Sequence, residues 1–227
     1  MMVVAAVVSV LASIAVPAYR SALRRAQTAA CQIQLANLAR GLTAYAMESR
    51  GWLPPGPVER SLWEGDPDRG TPYELYNHGR VKPELKLSSQ NGWYGLGLTW
   101  KRGHVNQGQT YYCPSATTGG GVDYEQAWPR SFDGERDPSD GKSAVFSTYA
   151  YRGGMTSKAG TPLGPINALR TVGSTPILAD NPCSMQMWHE GGYNVAFLDG
   201  RAQFFGFAAP IVTSGHLPTL WQAIQGP

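Results

Sequence analysis

Three groups of residues in this 227-residue chain are of types that could do chemistry. His189 and Asp199 are separated by nine residues, Glu190 to Leu198, and Gly200 follows. An imidazole and a carboxylate make a proton-transfer or metal pair when the chain brings them together. Here the stretch Tyr193 to Leu198 reads as a strand of about 20 Å at 3.4 Å per residue, which holds them at opposite ends. Each is therefore expected to be structural: Asp199 and Gly200 in a turn, and His189 in hydrogen bonds that hold the Glu190-Gly191-Gly192 loop, with Asp180 as a partner. The second group is Asp133, Glu135, Asp137 and Asp140, whose carboxylates could offer several oxygens to one hard cation such as calcium. It is not an EF-hand, because Pro138 stands at the glycine position and Ala144 at the closing glutamate. A solvated polar loop is the competing reading, and no other cofactor is expected. The third group is Cys31, Cys113 and Cys183, an odd set that permits one disulfide at most. No Cys-x-x-Cys or Cys/His spacing points to zinc, and no Gly-x-Ser-x-Gly nucleophile motif is present.

The elements that must carry these groups begin with an apolar head. Met1 to Tyr19 contain no charged residue, and as a helix they span about 28 Å, close to the hydrocarbon thickness of a bilayer. Met1, Val4, Val8, Leu11, Ile14 and Val16 are the large apolar positions of this half. Pro17 removes one backbone hydrogen bond and is expected to kink or locally open the helix. The helical pattern then continues. Cys31, Leu35, Leu38, Leu42 and Tyr45 recur at steps of four and three, which makes one apolar stripe on an otherwise polar helix. Gly51 and the prolines from Pro54 end it. Residues 1–50 carry five arginines against one acid, and the remainder carries a net charge of −1, so the positive excess lies just after the apolar head. That distribution suits a membrane surface and gives no basis for direct nucleic-acid binding.

Beyond the helix, 27 glycines and 17 prolines with only 15% charged residues indicate a loop-rich folded body. Strands are expected at Ala144–Tyr151, Thr175–Ala179, Tyr193–Leu198 and Arg201–Phe207. Asp199-Gly200 predicts a two-residue type I′ hairpin that pairs Val195 with Phe204 and Phe197 with Ala202. Val195, Phe197, Ala202 and Phe204 would then share the face that packs on the helical stripe. Cys31 opens that stripe, which suits an inert core thiol; a Cys31–Cys113 bridge is the alternative in an exported protein.

The segment Ala15-Val16-Pro17-Ala18-Tyr19 within an apolar helix resembles the N-terminus of type IV pilins and type II secretion pseudopilins. Cys31, Asn37-Leu38, Tyr45 through Gly51-Trp52-Leu53-Pro54, Cys113-Pro114-Ser115, Ser147-Thr148-Tyr149 and His189 followed by Asp199-Gly200 resemble positions in pseudopilin-like proteins of planctomycete-type bacteria. Family members also carry a basic leader cut at a glycine, and a glutamate within the apolar helix. Aligned on Pro17, both would fall upstream of Met1.

The resemblance implies an α+β, pilin-like fold: a long N-terminal helix packed on an antiparallel sheet, with a loop-rich insertion. Residues 1–23 would form the membrane or filament-core half of the helix, 24–50 the amphipathic half, and 51–227 the globular domain. It implies a non-enzymatic structural subunit of a pilus-like filament, a homopolymer drawn from the inner membrane by assembly machinery after processing by a prepilin peptidase. A secretion pseudopilin is the alternative within the family. A membrane-tethered surface enzyme or binding domain is the alternative outside it. Trp93 and Tyr94, set among glycines, are candidates for contact with a neighbouring subunit, against the alternative that such aromatics fill a small core beneath the loops.

Overall fold

The computed structural model describes residues 2–54, 74–77, 93, 95–116, 144–152, 166, 168–171, 173–180, 189 and 192–206. Helix α1 runs Met2–Glu48, a length of about 70 Å at 1.5 Å per residue, and it is unbroken across Pro17. The local opening expected at that proline does not occur.

The C-terminus of α1 explains how the chain leaves it. Gly51 N–H donates to Ala46 O at 2.7 Å, the wide hydrogen bond of a Schellman motif. The residue that must turn left-handed there is Arg50, at φ 56°, a conformation glycine adopts with less strain. Leu53 N–H then donates to Ile166 O, and Ala168 N–H to Gly51 O, which ties the exit to a distant loop.

After β1 (Glu74–Asn77) come the short helix α2 (Gly97–Lys101) and a 3-10 turn at Gly108–Tyr111, then β2 (Ala144–Phe146), β3 (Tyr149–Tyr151), β4 (Pro176–Asp180), β5 (Gly192–Phe197) and β6 (Ala202–Gly206). Strands β1 and β2 form an antiparallel pair, and β3-β4-β5-β6 form a four-stranded antiparallel meander. The strand expected over Ala144–Tyr151 is thus two strands, interrupted at Ser147-Thr148, which serve different sheets. The architecture is α+β: one long helix laid on a small antiparallel sheet.

Cys31, Leu35, Leu38 and Leu42 are completely buried and Tyr45 is half-buried, so the stripe faces the core as its spacing predicted. The sheet side of that contact differs from expectation. Gly200 N–H donates to Phe197 O, Phe197 N–H donates to Arg201 O, and of the loop residues Leu198, Asp199 and Gly200 just Gly200 has a positive φ, 84°. This is a three-residue loop with a glycine bulge, not a type I′ turn. Ala196 therefore pairs with Ala202, and Val195 with Gln203. The one-residue slip moves every β5 side chain to the other face. Ala196 and Leu198 join the helix-facing core, whereas Val195 and Phe197 lie on the far face with Ala150, Ala179 and Tyr193. On β6, half-buried Phe204 pairs with Asn194, which keeps it on the helix side.

Candidate functional site

Where the amphipathic half of α1 begins to touch the sheet, four buried side chains converge. The sulfurs of Cys31 and Cys113, a carboxylate oxygen of Asp180 and a ring nitrogen of His189 all lie within 4.8 Å of one another. Each is delivered by a different part of the fold. Cys31 is the first buried residue of the α1 stripe. Asp180 closes β4, and its pairing with Tyr149 places it on the helix side of the sheet. His189 bridges to Gly192 at the entrance to β5.

Cys113 follows the 3-10 turn and is seated by the break between β2 and β3. Thr148 N–H and Ser147 Oγ both donate to Tyr111 O, at 3.1 and 2.7 Å, and Cys113 N–H donates to Thr148 Oγ1. Ala116 N–H closes the turn back onto Cys113 O, with Pro114 at the position where its fixed φ suits a turn. Ser115 N–H then points at the Cys113 sulfur.

Within the cluster, Cys31 Sγ donates to Asp180 Oδ1 at 2.9 Å and lies 3.3 Å from the Tyr149 hydroxyl, which donates to Gln34 Oε1 at 2.7 Å. Asp180 Oδ2 accepts from Asn194 N–H at 2.7 Å and Asn194 Nδ2 at 3.0 Å. His189 Nε2 is 3.3 Å from Asp180 Oδ2 and 3.4 Å from Cys113 Sγ. Its other nitrogen, Nδ1, is 3.1 Å from Thr28 Oγ1.

The single proton of the Thr28 hydroxyl can go to Arg24 O, at 3.0 Å, or to His189 Nδ1, at 3.1 Å. Given to Arg24 O, it leaves Thr28 Oγ1 to accept from an Nδ1–H, and Nε2 then faces the carboxylate and the thiol. In that arrangement a proton or a metal ion must lie between Nε2 and Asp180 Oδ2, which are 3.3 Å apart. The electrostatics agree. Burial raises Asp180 to about 6. Burial also pushes the Cys31 thiol up, while the adjacent Cys31 thiol, the His189 ring and Ser115 N–H hold Cys113 below an ordinary thiol. Burial works against the His189 imidazolium, but the Cys113 hydrogen bond and the neighbouring negative charges outweigh it and raise its pKa.

The residues singled out in the sequence separate cleanly. His189 and Asp199 lie at opposite ends of β5, as strand length required. Asp199 works at the hairpin, where Oδ1 accepts Arg201 N–H at 3.1 Å and its carboxylate pairs with Arg201 at 3.3 Å. His189 does meet Asp180, and its Nε2 also joins a four-residue cluster; Glu190 and Gly191 of the loop it was expected to hold lie outside the described residues. Cys31 and Cys113 are adjacent as free thiols, so the candidate bridge is not formed. Trp93 is only 8% exposed and belongs to the core with Leu75 and Leu96, which corrects its assignment to an intersubunit surface; the core-filling alternative holds. Tyr94, Cys183, Met1 and the acidic run Asp133, Glu135, Asp137 and Asp140 lie outside the described residues. Thr28, Tyr149 and Asn194 were not anticipated in the site. No protein-family model matches the chain, nor does any curated protein or solved structure.

Proposed function

We propose that this protein is a structural subunit of a pilus-like filament, held in a membrane by the first half of α1 before assembly and packed through the same surface afterwards. The observation that carries this reading is the division of α1. From Val3 to Arg20 every residue is exposed, including Val4, Val8, Leu11, Ile14 and Val16, while from Cys31 onward the stripe is buried. An exposed apolar helix of this length is unstable in water and needs lipid or neighbouring helices around it. The helix is long and apolar enough to cross a bilayer.

Ala5, Ala6, Ser9, Ala12, Ser13 and Ala15 supply the small side chains that let helices approach closely. Ser9 and Ser13 turn their hydroxyls back to Ala5 O at 2.8 Å and Val10 O at 2.7 Å, which hides their polarity from an apolar neighbour. A head-to-tail contact between such helices propagates into a filament when its rotation does not close into a ring. The partners are further copies of the chain, the inner membrane, and the machinery and peptidase that process and assemble pilins; a secretion pseudopilus would use the same physics.

The test is a photo-crosslinking amino acid at Leu11, which is 62% exposed, with buried Leu38 as the control position. In producing cells a ladder of multimers from Leu11, together with filaments in sheared fractions by negative-stain microscopy, is the expected result. Monomers alone, in membranes that hold abundant protein, would leave only a tethered surface domain.

A further inference from the structure

We propose that Cys31, Cys113, Asp180 and His189 bind one zinc ion, which fastens the base of the projecting helix to the sheet. The inference is independent of filament assembly. It rests first on the donor set: two sulfurs, one imidazole nitrogen and one carboxylate oxygen are the ligand types zinc takes in closed, four-coordinate structural sites. It rests next on distance. Zinc bonds of about 2.3 Å to sulfur and 2.0–2.1 Å to nitrogen or oxygen put tetrahedral ligand atoms about 3.3–3.8 Å apart. The four atoms here are all within 4.8 Å of each other, with His189 to Asp180 at 3.3 Å and His189 to Cys113 at 3.4 Å. Small rotamer adjustments suffice.

The surroundings are arranged as around a metal. Thr28 Oγ1, 3.1 Å from His189 Nδ1, is placed to accept an Nδ1–H hydrogen bond, which leaves Nε2 aimed at the other three donors. Asn194 holds Asp180 through two hydrogen bonds, and Ser115 N–H faces the Cys113 sulfur. Two thiolates, one carboxylate and a neutral imidazole leave one negative charge beside zinc, and these three N–H groups offset it. All four ligands come from the protein and all are buried, so no position is open for substrate. The metal would be structural, joining α1, the Cys113 turn, the end of β4 and the entrance of β5.

The experiment uses the full chain in detergent, purified under reducing conditions without chelator. Elemental analysis is expected to find ~1 zinc per chain, and cobalt exchanged for it should give the intense thiolate-to-cobalt absorption of a tetrahedral sulfur site. Cys113→Ser and His189→Ala should lose both. Thr28→Val, which keeps all four ligands and removes only the Nδ1 acceptor, should weaken zinc by about 10–100-fold, whereas Asp199→Asn at the distant turn should not. Because the wild-type cobalt spectrum needs no substitution, a ligand variant that fails to fold cannot obscure the answer. Reduced protein that takes up neither metal, cobalt bound without sulfur absorption, or a Cys31–Cys113 disulfide in protein recovered from cells would each overturn the assignment.

Discussion

Leu38→Ala tests whether α1 is fastened to the body through its stripe. Leu38 is fully buried in a cluster that includes Leu178, Ala196 and Leu198 from the sheet. Truncation removes three carbons, worth about 2.4 kcal/mol at 0.8 per buried carbon group. Incomplete collapse of the surrounding buried cluster adds a cavity contribution that raises the expected loss to about 3–4 kcal/mol. Ile33 sits on the same helix at 62% exposure, and Ile33→Ala should cost less than about 0.5 kcal/mol. The assay is urea unfolding in a fixed detergent, followed by tryptophan fluorescence. With a slope of about 2 kcal/mol per molar, the Leu38 variant should shift its midpoint down by about 1.5–2 M and the Ile33 variant by a few tenths. Equal shifts, or a Leu38 loss below about 1 kcal/mol, would show that the helix is not docked on this face.

Two further substitutions probe the frame around that contact. Arg50→Gly relieves a left-handed φ of 56° and should stabilise the chain by about 0.5–1 kcal/mol, read as a raised thermal midpoint; a loss would mean that the Arg50 side chain matters more than the turn. Trp93→Ala should destabilise the isolated chain by about 3–5 kcal/mol because Trp93 fills the core, and a variant that melts like the parent would return this residue to the surface.

The helix was legible because it is buried on one side only. Residues at steps of four and three stand out when the rest of the surface meets water, so Cys31, Leu35, Leu38 and Leu42 could be assigned from spacing alone. The same logic fails at β5, where all six residues are buried. With core on both faces, alternation carries no information about which side meets the helix. Only the turn could have fixed the register, and Asp-Gly serves both a type I′ loop and a three-residue loop with a glycine bulge. One extra loop residue then exchanged Val195 and Phe197 for Ala196 and Leu198. The polar cluster was partly legible for a related reason. His189 and Asp180 are close enough in sequence to be considered together, and Cys31 and Cys113 were each notable as thiols. Metal-site spacing rules, however, detect ligands that share a local turn or helix face. Here Cys31, Cys113, Asp180 and His189 become neighbours only once α1 lies across the meander, so their common position depends on the tertiary contact they would hold. If zinc occupies them, metal binding and helix docking form one equilibrium: a substitution that loosens Leu38 should also weaken zinc, and a chelator should lower the urea midpoint of the parent more than that of Leu38→Ala.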